Sequence, residues 1–216
     1  MDVASWIEAG GKSVDGGEIM ASIEQRLDEL EIRIRQPGFR RITGRANEVN
    51  QWVFDYAPKD ELIVRRRIAA MKEKNERGAQ EFTLAVFNIY DIIMNYLEGR
   101  NFIEKTASFE KRGGFERVKK AIRNTLRITD ADNKIVAYIT SHMPERAVIF
   151  LTGIGTCYPI LEAQEIFNKV LYNMPPEFSH IPVVLFYPGI YTEQSLMMFS
   201  EVEEGAGYYR AFRMVQ

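Results

Sequence analysis

Gly10-Gly11-Lys12-Ser13 has the ending of a phosphate-binding loop, in which backbone amides and a lysine hold the anion. The full pattern needs a glycine five positions before the last one, where this sequence has Trp6, and a strand ahead of the loop. Neither condition is met, so residues 1–17, which include AGGKSVDGG, read as a flexible leader. LTGIGTCYP (151–159) is closer to a site, because Gly153 and Gly155 follow an apolar run and precede a helical stretch. Glycine lets backbone approach a ligand, and a helix start attracts anions. The third glycine of a dinucleotide fingerprint nevertheless falls on Tyr158, and a tight strand-to-helix turn accounts for both glycines without a ligand.

Asp55, Asp60, Glu61 and Asp91 stand at or just after the ends of the first two predicted strands. Open α/β sheets bind ligands at that edge, and hard oxygen ligands there suit magnesium. Helix capping is the plainer account of Asp60 and Glu61, which sit where a helix start favours negative charge. The candidate ligand edge is therefore Asp55, Gly153, Gly155 and Tyr158, with no metal or cofactor assigned. Chemistry by a nucleophile finds little support. His142 and His180 lie outside any metal-ligand spacing, Ser195 lacks a glycine-flanked elbow, and Cys157 has no cysteine or histidine in its motif. No catalytic residue is assigned. KRGGFERVKKAIRNTLR (111–127) holds seven basic residues against one acidic. Placed on one helix face, Arg112, Lys119, Arg123 and Arg127 form a candidate nucleic-acid patch, for which a solvated surface is the plain alternative.

The elements that must position these residues alternate between strand and helix. Ile19, Ile23, Leu27, Leu30 and Ile34 recur at helical spacing, and Pro37-Gly38 stops that helix. QWVFDYAP (51–58) and FTLAVFNIYD (82–91) read as strands, each followed by a helix. Two or three helices fall between 101 and 142, one with a buried stripe of Phe115, Val118, Ile122 and Leu126. AVIFLTGIG (147–155) and IPVVLFYPG (181–189) are continuous apolar runs, as strands covered on both faces should be. A helix over 159–173 separates them, with Pro159 in its first turn. Residues 208–215 supply a last short strand. The expectation is one α/β domain over 18–216: a mainly parallel sheet of about five strands, helices on both faces, and a helix in front.

Bulk properties agree. The 216 residues are 46% hydrophobic and 27% charged, enough for one packed core. A net charge of −2 argues against chain-wide attraction to nucleic acid or acidic membranes. No apolar run reaches membrane-spanning length, and a single cysteine excludes an internal disulfide framework, which together point to the cytoplasm.

The stretch VVLFYPGIYTEQSLMMFSEVEEGAGYYRAFRMV (183–215) carries a resemblance. Its strand, Tyr187-Pro188-Gly189-x-Tyr191 turn, Gln194-Ser195-Leu196, charged link and Tyr208-to-Phe212 run resemble the end of the BrxB family. These are small core proteins of BREX bacteriophage-exclusion systems. LTGIGTCYP with Asn168, NEVNQWVFDYAPKDELIVRR (47–66) and FNIYDIIMNYLEG (87–99) extend the resemblance over roughly 18–215. Two places depart from it. Glu162 and Gln164 stand where the family often has Arg and His, and Ile190, Thr192 and Glu193 replace common acidic and glycine residues. The resemblance implies work beside an alkaline-phosphatase-like protein (PglZ), a large ATPase (BrxC) and an adenine methyltransferase (PglX), and it carries over no reaction. Among such neighbours a small protein without a catalytic constellation fits an adaptor, with a nucleotide- or phosphate-binding enzyme at the sheet edge, or a DNA-binding subunit through residues 111–127, as the alternatives. Tyr187, Pro188, Gly189, Tyr191, Gln194, Tyr208, Tyr209 and Arg210 are its candidate partner-binding residues, against the alternative that the tyrosines cap the core.

Overall fold

The computed structural model describes residues 21–40, 50–78, 81–171, 173–192 and 211–215, and the backbone of 195–198 and 201–202. Five parallel strands form the main sheet: β1 (Gln51–Tyr56), β2 (Thr83–Asn88), β3 (Ala147–Thr152), β4 (Val183–Pro188) and a last strand, β8 (Phe212–Arg213). Their order across the sheet is β2-β3-β4-β1-β8. The short strands β5 (Ile190–Thr192), β6 (Ser195–Met198) and β7 (Glu201–Val202) form a separate antiparallel ribbon. Helices α1 (Ile23–Arg35) and α2 (Glu61–Arg77) cover one face. The opposite face carries α3 (Ile89–Glu98), α4 (Ile103–Leu126), α5 (Lys134–Ser141), α6 (Ile154–Cys157) and α7 (Ala163–Ile166), the last continuing as a π turn over Phe167–Leu171.

Strand periodicity divides the core in two. Val184 and Phe186 of β4 join Val148, Phe150 and Phe54 beneath α1 and α2. Val183, Leu185 and Tyr187 turn the other way, into the larger cluster under the remaining helices. All six residues of β4 are buried, which is why its sequence shows no alternation. From β1 the chain crosses over β4 and β3 to reach β2, with α2 on one face, then steps back through β3 to β4 on the other. Reversing direction and face together keeps every crossover the same hand.

Local chemistry sets the boundaries. Ser22 and Gln25 form a reciprocal cap at the start of α1, and Asn88 and Asn133 cap α3 and α5 through their side-chain oxygens. Buried Glu31 joins α1 to α2 through Lys74 and Arg67, and is also paired with Arg35. Burial alone would raise its pKa, but these three cations outweigh it and hold the carboxyl below its ordinary value.

Four details differ from the sequence expectation. The second strand ends at Asn88, so Asp91 lies in the first turn of α3. The helix expected from Pro159 begins only at Ala163, with Glu162 and Glu165 capping it reciprocally. Pro159 belongs to the turn that follows α6, after a cis peptide bond from Tyr158. The long helix α4 is broken at Gly113-Gly114, where Gly114 has φ 64° and ψ −169°, a conformation open only to glycine. That break lifts Phe115 off the core, leaving it 45% exposed, while Val118, Ile122 and Leu126 stay buried. Finally, the polar stretch after Gly189 contains the β5–β7 ribbon.

Strand β2 lies at the edge of the sheet. Thr83 N–H points inward, to Arg146 O, so the next amide, Leu84 N–H, points away from β3. Buried Asn75 of α2 receives it: Oδ1 accepts from Leu84 N–H at 2.8 Å, and Nδ2 donates to Phe82 O at 3.2 Å. Replacing Asn75 by Ala leaves two sheltered backbone groups without partners. It should destabilise the fold by about 2–4 kcal/mol, read as a lower denaturant midpoint with an unchanged slope.

Candidate functional site

The C-terminal edge of the parallel strands is where the sequence placed its ligand and partner candidates. Asp55, near the end of β1, is the group around which this edge is built. Its side chain is only 8% exposed. Oδ1 accepts from Arg26 Nη2 at 2.8 Å. Oδ2 accepts from Tyr191 N–H at 3.1 Å and from Arg213 Nη2 at 2.7 Å. Arg26 also donates to Asp55 O and Val215 O, and Arg213 to Tyr191 O. One carboxylate thus joins α1, β1, the start of the ribbon and the final strand. Neither arginine carries a sequence signal for this role, because 29 and 158 residues separate them from Asp55.

The glycines of LTGIGTCYP are used for packing. Gly153 has φ 78°, and a side chain there would collide with Asn88. A Cβ on Gly155 would lie 2.8 Å from Pro188 Cγ, so α6 sits directly against the end of β4. Tyr158, by contrast, is 56% exposed. Cys157 is buried, with Sγ donating to Gly153 O at 3.2 Å. Burial and the nearby Asp91 charge push its thiol up to about 12, which suppresses the thiolate that reactivity needs. Glu61 accepts from Arg65 and from Tyr56 OH, while Asp60 makes no side-chain cap bond. Among the described residues, no three histidine, cysteine or acidic side chains gather as a metal cluster would require. His142 stacks on Tyr138 with ring centroids 4.1 Å apart. His180 lines a mixed groove of about 440 Å³ at the opposite, N-terminal edge of the sheet, beside Arg40 and Arg146.

The partner candidates divide. Tyr187 and Tyr191 are among the largest fully buried side chains, and Pro188 and Gly189 are buried with them. Tyr191 donates its hydroxyl to Ala211 O at 2.6 Å and stacks on Phe167. These residues close the core. Gln194, Tyr208, Tyr209 and Arg210 lie outside the described residues. The edge exposes three large apolar side chains, Leu62 (67%), Tyr158 and Ile190 (54%), beside Lys59, Arg65 and Thr156. Arg65 Nη2 donates to Thr156 Oγ1 at 3.3 Å, which brings the start of α2, and so Leu62, beside α6.

The basic segment is rearranged by the break in α4. Arg112 lies before it; Lys119, Arg123 and Arg127 lie after it. The latter three are paired: Lys119 with Glu162 at 3.9 Å, Arg123 bidentate with Glu165, and Arg127 with Asp130 and Asp132. Burial raises the Glu165 pKa, but the hydrogen bonds from Arg123 and the Glu162 backbone and the charges of Arg123 and Lys119 prevail and lower it overall.

Two consequences are measurable. Asp55→Ala leaves Arg26, 13% exposed, without its carboxylate. Stability should fall by about 3–5 kcal/mol, a drop in Tm of roughly 10 °C by circular dichroism. An unchanged Tm would return this carboxylate to the ligand-edge reading. For Glu165, a folded pKa below the unfolded one means that its contribution is present at neutral pH and lost as pH falls through the folded pKa. Wild type should therefore exceed Glu165→Gln in stability at about pH 7, with the gap closing below about pH 4.5 in denaturant titrations.

The comparisons with known proteins match the sequence to a family. No solved structure matches this chain. The family model described as BREX protein BrxB matches residues 85–214. A BREX protein BrxB of Bacillus cereus (strain H3081.97) is 32% identical over 91% of this chain and 99% of its own length. The BREX protein BrxB of Escherichia coli O9:H4 (strain HS) is 29% identical over 89% of this chain and 92% of its own. With both halves of the sheet spanned by these matches, the chain belongs to the BrxB family.

Proposed function

We propose that this protein is a non-catalytic interaction subunit of a BREX phage-defence assembly, docking a partner on the C-terminal edge of its sheet. The observation that carries this reading is the division of labour at that edge. Its buried carboxylate is consumed by Arg26, Arg213 and the Tyr191 amide, and its crevice is filled where Gly155 meets Pro188. Leu62, Tyr158 and Ile190 remain uncovered on the same edge. Large apolar side chains standing exposed on one edge fit a protein interface better than a solvated surface. The competing reading, a nucleotide- or phosphate-binding enzyme, needs Asp55 and the glycine turn for a ligand, and both already have internal roles.

The partners proposed are the PglZ-like and BrxC-like proteins of the same system, with a PglX-like protein as a further one. Tagged co-expression and pull-down, followed by mass determination in solution, test this directly. Capture of at least one partner is expected, and Leu62→Asp combined with Ile190→Asp should weaken it by roughly tenfold or more. Both sites are exposed, so the thermal unfolding of the isolated variant should stay close to wild type. Undiminished capture by that variant would remove the interface from this edge, and capture of none of the three would remove the adaptor reading.

A further inference from the structure

The break in α4 leaves a surface that the continuous helix would not have formed. Residues 110–117 are exposed without interruption, from Glu110 through Gly113-Gly114 and Phe115 to Arg117. Lys111, Arg112, Arg117 and Lys120 are all exposed, and among the described residues they make no ion pair. The nearby cations that the one-face reading favoured, Lys119, Arg123 and Arg127, are held by Glu162, Glu165, Asp130 and Asp132. The unspent positive charge is therefore concentrated at the joint, with Glu110 and Glu116 as the acidic residues beside it.

Both glycines shape this surface. Gly114 holds a backbone conformation reserved for glycine, and the space where its side chain would point is empty to 4 Å. Gly113 lets the stem of Arg117 lie against it, since a Cβ there would come within 2.9 Å of Arg117 Cδ. Phe115, 45% exposed, stands next to that gap with cations on both sides in sequence.

We propose that this joint contacts single-stranded nucleic acid, with Phe115 stacking on a base and Lys111, Arg112, Arg117 and Lys120 neutralising phosphates. Cations alone would suit a duplex or an acidic protein equally. The exposed ring with a side-chain-free approach favours an unpaired base, because bases inside a duplex are already stacked. The proposal is independent of the sheet-edge interface, which lies on other elements.

Fluorescence anisotropy with a labelled mixed-sequence oligonucleotide of roughly 20 nucleotides is the test, run against the duplex of the same sequence. Single strand should bind more tightly than duplex. The logarithm of affinity should fall with that of salt at a slope of about −2.8, for four contacts at about 0.7 each. Lys111→Glu with Arg112→Glu should weaken binding by roughly tenfold or more and flatten that slope. Phe115→Ala should weaken single-strand binding by several-fold, with the slope and duplex binding little changed. Leu62→Asp with Ile190→Asp should leave oligonucleotide binding intact, separating this site from the adaptor surface. Absence of binding at low salt, or equal binding by the charge-reversed variant, overturns the proposal. So does loss of a BREX protein partner on charge reversal with oligonucleotide binding unmoved, which would mark the joint as a protein contact.

Discussion

A carboxylate buried in an interior strand must be paired, and Asp55 is paired from three directions. Arg26 comes from the helix ahead of the sheet, the Tyr191 amide from the segment after β4, and Arg213 from the last strand. The short strand β8 registers with β1 over only two residue pairs, too few to hold a chain end by backbone bonds alone. Arg213, with the donation of Arg33 to Met214 O and the contacts of Trp52 with both Arg33 and Phe212, supplies what the ladder lacks. The two arginines against one carboxylate leave a positive excess, tolerable because Arg213 is 41% exposed to solvent.

That arrangement decides what the fold can do at its usual binding edge. The connections that leave β1 and β4, neighbours in the sheet, run to opposite faces, the kind of switch point at which doubly wound sheets open a crevice. Here the turn at Pro188-Gly189 carries the chain straight over the opening, and Tyr191 anchors it through Asp55 and Ala211. Contact between Gly155 and Pro188 closes the neighbouring gap. The edge is left as a packed surface with an apolar rim. Geometry of this kind favours recognition of a shape by contact over enclosure of a small molecule.

Much of the sheet was legible because β3 and β4 are buried on both faces and read as largely apolar runs. The ribbon was not. Thr192 pairs with Ser195 and Met198 with Glu201, and the residues between them, Glu193-Gln194 and Phe199-Ser200, include none of the glycine or asparagine that signals a tight hairpin. The α4 break was written in Gly113-Gly114, but the helical spacing of Val118, Ile122 and Leu126 extends backwards to Phe115 and masks it. At the candidate site, the glycine turn was readable while its purpose was not. Whether a glycine approaches a ligand or a proline depends on which strand end lies opposite, and that is a property of topology.

The distribution of charge also follows from packing more than from composition. A helix face counted from sequence treats every cation alike, yet Lys119, Arg123 and Arg127 meet carboxylates of α7 and of the turn that follows α4, while Arg117 and Lys120 do not. Glu162 is instructive. Here Glu162 caps α7 and pairs with Lys119, so a basic replacement would remove the cap and free Lys119. Lys111, Arg112, Arg117 and Lys120 are exposed, make no ion pair among the described residues and keep their charge for solvent. A protein of net charge −2 can thus hold a locally basic projection without conflict, because field at the surface is set by which charges remain unpaired within about one Debye length.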